Sequence, residues 1–183
     1  MNPQMKPKNA LFWLIAIVGV ILDQLTKYWV VQTFDLGESV TIIPGVLNFT
    51  YVTNPGAAWS LFSENGEWLR WLSILVSAAL AIYGWVVRLP NRWEQAGYGF
   101  ILSGAFGNGI DRLLAGEVVD FLQAFPVTGF PIFNLADIWI NVGILCLLVI
   151  AFLPGPHSKA GSGQGNQPNA ALGRSRDRKR PRL

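Results

Sequence analysis

Four apolar stretches, near residues 10–31, 68–87, 95–114 and 136–153, dominate this chain. Each is close to the roughly 20 residues that a helix needs to cross the hydrocarbon of a bilayer. In lipid, a helix is one of only two ways to satisfy every backbone N–H and C=O. Charged residues make up 14% of the sequence, against about 25% in ordinary soluble domains. Eight tryptophans fit the same class, because indole favours the membrane–water interface. These features predict an integral membrane protein, mainly α, with four transmembrane helices. The first apolar stretch follows Lys6 and Lys8 as a secretory leader would. No small-residue cleavage site follows it, however; Asp23, Lys27 and more apolar sequence do, so it is expected to persist as the first helix.

The sequence divides into three parts: an N-terminal segment 1–9, a membrane domain 10–153, and a tail 154–183. Within the domain, residues 32–66 differ in character. Val40-Thr41-Ile42-Ile43 and Leu47-Asn48-Phe49-Thr50-Tyr51-Val52 are β-branched and aromatic, with Pro44-Gly45 between them. They predict a hairpin or small sheet between the first and second helices, closed by a turn at Asn54-Pro55-Gly56. Pro154-Gly155-Pro156 stops the last helix, and the Gly-, Ser-, Asn- and Arg-rich tail is expected to be disordered. Its cluster Arg174, Arg176, Arg178, Lys179, Arg180 and Arg182 suits either nucleic acid or anionic lipid heads. The expectation is lipid, with no nucleic-acid partner.

Cys146 is the only cysteine and His157 the only histidine. An intrachain disulfide, a Cys/His zinc site and a His-based triad are thereby excluded. Lys/Arg placement sets the orientation. Lys6 and Lys8, then Arg88 and Arg92, then the tail belong on the cytoplasmic side, giving an N-in and C-in topology. The other two loops are acidic, with Asp35, Glu38, Glu64 and Glu67 in one and Glu117 and Asp120 in the other. The sheet and the second acidic loop are therefore expected on the outer face.

Polar groups inside apolar sequence carry the chemistry, because an ionisable residue beside hydrocarbon is costly. Asp23 and Lys27 are four apart and can pair or snorkel together. In the third helix Gly99, Ser103, Gly107 and Asp111 recur every four residues, a ridge for close helix approach, while Asn108, Asp111 and Arg112 can join one network. Asp120 and Asp137 lie at segment ends beside the loop Phe121–Phe133, which is apolar and stiffened by proline. Asp120 alone reads as a solvated loop acid, and Asp137 alone as a first-turn helix acid after Asn134. Together they read as two carboxylates that meet and share a proton, the setting for activating water. Trp139 and Asn141 read as an interface anchor and a packing residue. Asn54 offers a donor and an acceptor beside small residues.

Five phrases in order resemble the lipoprotein signal peptidase (signal peptidase II) family of bacterial membrane aspartic peptidases. They are Asp23-Gln24-Leu25-Thr26-Lys27, Asn54-Pro55-Gly56-Ala57-Ala58, Gly104-Ala105-Phe106-Gly107-Asn108 with Asp111-Arg112, Val118-Val119-Asp120-Phe121, and Phe133-Asn134-Leu135-Ala136-Asp137. Trp59 stands where the family commonly has Phe. The resemblance implies a catalytic pair Asp120 and Asp137, with Asn54, Asn108, Arg112 and Asn134 positioning the peptide and steadying the pair. It implies supporting roles for Asp23 and Asp111, a sheet that cradles the substrate, and no metal or other cofactor. The implied substrate is a prolipoprotein whose cysteine carries diacylglycerol, cut just before that cysteine at the outer face of a bacterial cytoplasmic membrane. Membrane lipids are the other expected partner, and a monomer is the expected state. A proton-coupled transporter and a non-catalytic assembly factor are the competing readings. Clustering of the aspartates at one face weighs against the first.

Overall fold

The structure is a computed structural model that describes residues 8–56 and 67–152. Its elements in chain order are α1 (Ala10–Thr33), β1 (Ser39–Ile43), β2 (Leu47–Asn54), α2 (Glu67–Val86), α3 (Arg92–Leu114), β3 (Val118–Ala124), a short 3₁₀ turn (Pro126–Thr128) and α4 (Leu135–Phe152). The tail from 154 onward, the Ala57-Ala58-Trp59 phrase, Glu64 and Lys6 lie outside the described residues.

Burial along α1 shows what solvent this chain is built for. Its buried residues are Phe12, Ala16, Gly19, Asp23, Lys27 and Val30, a stripe with steps of three and four. The opposite face is Leu14, Ile17, Ile21 and Leu25, all exposed. In water that arrangement would be inverted. Against lipid it is favourable: hydrocarbon meets Leu and Ile, while the charged pair finds partners inside.

Glycines on α3 set how closely its neighbours approach. A side-chain carbon at Gly99 would press on Phe12 and Ile15 of α1, and one at Gly107 on Asp23. At Gly97 and Gly104 it would meet Gly143, Leu147, Ala136 and Ile140 of α4. At Gly109 it would meet Ser73 of α2 alone, at 3.3 Å, an approach that a small shift of Ser73 relieves. The contact order shows α1 running parallel to α3, and α4 antiparallel to it. Helix α3 is thus enclosed by the other three. That explains how it carries Asn108, Asp111 and Arg112, and why, among the described residues, only Ala10–Thr33, Trp68–Val86 and Leu135–Phe152 are apolar enough to cross a membrane on length and composition.

The predicted hairpin is present. Ile43-Pro44-Gly45-Val46 forms its turn, with Val46 N donating to Ile43 O at 3.0 Å and Gly45 at φ +75°, where glycine is unstrained. The sheet is larger than a hairpin between the first two helices, however. A third strand, β3, comes from the connection between α3 and α4, and the order is β1-β2-β3, antiparallel throughout. The expected loop there conceals a β-branched and aromatic run, Val118–Ala124, with Asp120 set opposite Val52. Edge-on aromatic pairs Trp29–Phe49 at 6.0 Å and Phe49–Phe121 at 5.9 Å fasten the sheet to the end of α1.

Trp139 is not an interface anchor. It stacks on Phe100 of α3 at 5.4 Å and reaches Gly19 of α1, so it packs the helices. Cys146 is buried.

Replacing Gly104 by Val is expected to force α3 from the Ala136 carbonyl and to lower stability by about 1–3 kcal/mol, the usual cost of overpacking. Gly109→Ala, with only Ser73 nearby, is expected to be close to neutral. Thermal unfolding of the two purified variants in detergent checks the contrast; equal midpoints would remove α3 from its close seat on α4.

Candidate active site

The site is built upward from one buried ammonium. Lys27 Nζ lies 3.0 Å from Asp23 Oδ2 and 2.8 Å from Asp111 Oδ2, and donates to Asn108 Oδ1 at 2.9 Å. These three partners take up the three donors of an ammonium. Lys27 and Asp23 are almost wholly buried, so the pair does not snorkel. Gln24, which the spacing arguments pass over, ties the two acids together: its Nε2 donates to Asp111 Oδ1 at 3.0 Å, to Asp23 Oδ2 at 3.2 Å and to Gly107 O at 3.2 Å.

Each supporting acid then holds one backbone N–H. Asp23 Oδ1 accepts from Ala136 N at 2.9 Å, and Asp111 Oδ2 accepts from Val119 N at 3.3 Å. Ala136 precedes Asp137, and Val119 precedes Asp120. The ion cluster thereby fixes the chain immediately before both candidate catalytic residues.

Asn134 joins the two candidates to each other. Its Nδ2 donates to Asp120 Oδ1 at 2.7 Å, shared with Asn108 Oδ1 at 2.9 Å and Val119 O at 3.2 Å. Its Oδ1 accepts from Asp137 N at 3.1 Å, while its own N–H donates to Asp137 Oδ2 at 3.1 Å. That reciprocal pair is a capping box at the start of α4. The helix-cap reading of Asp137 is therefore correct, and it coexists with a place in the site. Asp137 Oδ1 accepts from Asn108 Nδ2 at 2.9 Å, and Asp120 Oδ2 accepts from Asn54 Nδ2 at 3.0 Å. Asn54 is itself held in its turn, its Oδ1 accepting from Gly56 N at 3.0 Å.

Both aspartates line one cavity of about 450 Å³ with Asn54, Asn108, Arg112 and Asn141. Its other wall is apolar, with Phe130, Pro131, Phe133 and Ile138, so the proline-stiffened loop contributes directly to the site. Arg112 donates to Ser73 Oγ and to Gly56 O, each at 3.2 Å. Its guanidinium is thus anchored to α2 and to the turn after β2 while facing the cavity. Asn141, expected to pack between helices, instead lines this cavity, its Nδ2 donating to Asp137 O at 2.8 Å.

Asp120 is 2% exposed. Burial, and next the neighbouring Asp137, push its carboxyl up from 3.8 to about 7, although the amides of Asn54 and Asn134 favour its ionised form. A carboxyl that keeps a proton near neutrality beside a second carboxyl can donate a hydrogen bond while its neighbour accepts a proton.

The sequence profile described as "Signal peptidase (SPase) II" matches residues 15–153. A lipoprotein signal peptidase of a Cyanothece species is 54% identical over 164 residues, covering 88% of this chain and 94% of that protein. One from Microcystis aeruginosa is 56% identical over 151 residues, covering 82% and 95%. A solved bacterial membrane enzyme structure, obtained by the in meso method, superposes with a TM-score of 0.72 at 35% identity, covering 81% of this chain and 92% of that one.

Two outcomes follow from this geometry. Lys27→Met leaves Asp23 and Asp111 facing each other, and is expected to cost about 3–5 kcal/mol, as when one partner of a buried pair is removed; chemical denaturation measures it. Between about pH 4 and 7 the folded chain holds a proton on Asp120 that the unfolded chain releases. Stability therefore falls as pH rises through that window and levels off above about 7. In Asp120→Asn this fall, at most about 4 kcal/mol for three units, is expected to vanish. Unfolding midpoints measured across the window would contradict it if wild type and variant respond in parallel.

Proposed function

The chain belongs to the signal peptidase II family, and from that premise we propose that Asp120 and Asp137 are the pair with which it cleaves its substrate. The family consists of membrane aspartic peptidases that remove signal peptides from prolipoproteins, and this chain is an enzyme of that type. The observation that carries the assignment is Asn134, whose one side chain and backbone bond both aspartates at the wall of a single cavity.

In the proposed reaction, a water enters between the two carboxyl groups. One carboxylate takes its proton as the oxygen attacks the scissile carbonyl carbon. The partner's proton hydrogen-bonds the carbonyl oxygen, on which negative charge develops. Collapse of the tetrahedral intermediate breaks the C–N bond and returns a proton to the leaving amine. The raised value at Asp120 supplies the single proton that the scheme needs near neutral pH. Arg112 and Asn54, both on the cavity wall, are the proposed holders of the peptide on either side of the cut.

The substrate we propose is a prolipoprotein with a diacylglyceryl-modified cysteine, cut just before that cysteine. An apolar wall of Phe130, Pro131 and Ile138 beside the carboxyl pair suits a peptide that carries lipid. The proposed setting is a bacterial cytoplasmic membrane crossed four times, N-in and C-in, with the cut at the outer face. Helix α3 makes the fourth crossing with its polar groups turned onto its neighbours. The charge pattern supports this orientation: Lys8, Arg88 and Arg92 lie at one end of the bundle, while α1, α3 and α4 bring Lys27, Asp111 and Asp137 together toward the other. The chain is proposed to work as a monomer without a cofactor.

Purified protein in detergent, with EDTA present, is expected to cut a diacylglyceryl-modified prolipoprotein before its cysteine. Asp120→Asn and Asp137→Asn are expected to lose at least about 10³-fold in rate, in line with removal of a group essential for acid–base chemistry, while retaining a cooperative unfolding transition. Turnover near the wild-type level by either variant would remove that aspartate from the reaction.

A further inference from the structure

At the end of the bundle away from the aspartates lies a second cavity, of about 760 Å³, that the peptidase chemistry does not use. Lys8, Arg88 and Arg92 line it, with Leu11 and Leu14 along one side, and among the described residues no carboxylate lines it. Among the described residues, the ion pairs all involve Lys27, so none of these three cations is in a salt bridge there, although Glu94 shares the first turn of α3 with Arg92. All three cations are exposed, so their mutual repulsion is screened by water and salt, and their positive potential is shared over one cavity, where an anion would meet it.

The chain gathers them with a specific device. Asn9 sits in the left-handed region at φ +57° and is 5% exposed. Its Nδ2 donates to Gly84 O at 2.8 Å and to Val87 O at 2.6 Å, and its Oδ1 accepts from Leu89 N at 2.9 Å. This bolt fixes the start of α1 to the chain that leaves α2, and so holds Lys8 beside Arg88. Membrane orientation requires only that cations be present at this end. It requires neither a strained, buried asparagine nor a common cavity.

We propose that this cavity binds the phosphate headgroup of an anionic phospholipid, with an acyl chain lying along Leu11 and Leu14 of α1. The complementarity has two parts. Cations meet the phosphate, for which Arg supplies a planar fork of donors and Lys a point charge. Leu14, 59% exposed, continues the site into the apolar face of α1, where an acyl chain would lie. Inorganic phosphate shares the first part only, and the lipid shares both.

The test is thermal unfolding of the full chain in neutral detergent with added phosphatidylglycerol, phosphatidylcholine or inorganic phosphate. Phosphatidylglycerol is expected to raise the midpoint of the wild type, and the other two to leave it unchanged. In Arg88→Gln/Arg92→Gln the apparent affinity for phosphatidylglycerol is expected to fall roughly 30-fold, as for the loss of two cations near a surface. Arg88→Lys/Arg92→Lys should recover part of it. Arg178→Gln/Arg180→Gln, which removes the same charge from the tail, should keep the full shift. If the double Gln variant does not fold, Lys8→Gln is read in the same way, with a smaller loss expected. Cleavage activity in detergent, which uses the other end of the bundle, should be retained in each. An equal shift with phosphatidylcholine, an undiminished shift in the cavity variants, or an equal loss in the tail variant would overturn the proposal. A shift of the same size with inorganic phosphate would assign the cavity to a free anion instead of a lipid.

Discussion

The ammonium of Lys27 is the group on which the interior of this bundle depends. It is shared by Asp23 from its own helix and Asp111 from α3, and with it in place two acids can stand together inside a membrane domain. The lone pairs left over on those acids are then directed outward, to the N–H of Ala136 and the N–H of Val119. Those two bonds seat the first turn of α4 and the second residue of β3. An ion cluster of this kind contributes little net stability once desolvation is counted. Its contribution here is positional: two carboxyl groups that come from different kinds of element, a helix and a strand, are held against one common frame.

The lipid-facing surfaces make that frame possible. A helix that buries Asp23 and Lys27 in its inner stripe while exposing Leu and Ile would not fold in water around such a core. In hydrocarbon, the exposed Leu and Ile of α1 are at no disadvantage, and polar groups gain by turning inward. Glycine on α3 completes the arrangement, because only close backbones let Asn108 reach Lys27, Asn134 and Asp137 at once. The same amide satisfies a support and a candidate catalytic group, so the network has no boundary between scaffold and site.

Much of this was legible in the sequence. Asp120, Asp137 and Asn134 stand out because a polar phrase in apolar sequence is itself a signal, and the helices follow from the lengths of the apolar stretches. The third strand was hidden for a physical reason. Val118–Ala124 is as apolar as a helix end and carries one acid, and only its pairing with β2 distinguishes a strand from a loop. Gln24 and Asn9 were hidden differently. Their partners lie some 75 to 87 residues away in sequence, and an amide's value is set wholly by what it meets. Backbone N–H groups such as that of Ala136 carry no sequence signature at all, since every residue except proline has one. The doubled role of Asp137 shows a further limit: the capping pattern was readable, and nothing in it says that the same carboxylate also faces a cavity.

Because Asp137 occupies the first turn of α4, the helix beneath it serves as a ruler. From Asp137 to Phe152 at the other end of α4 is about 22 Å at 1.5 Å per residue, and the close glycine contacts with α3 prevent the helix from sliding to adjust. On the proposed assignment of the pair, its altitude within the bilayer is thus set by the enzyme and not negotiated with each substrate. For a peptide anchored in the same sheet of lipid, recognition then includes a vertical coordinate. A bond presented at the wrong depth is out of register however well its side chains fit, and a membrane of altered thickness would detune every substrate together.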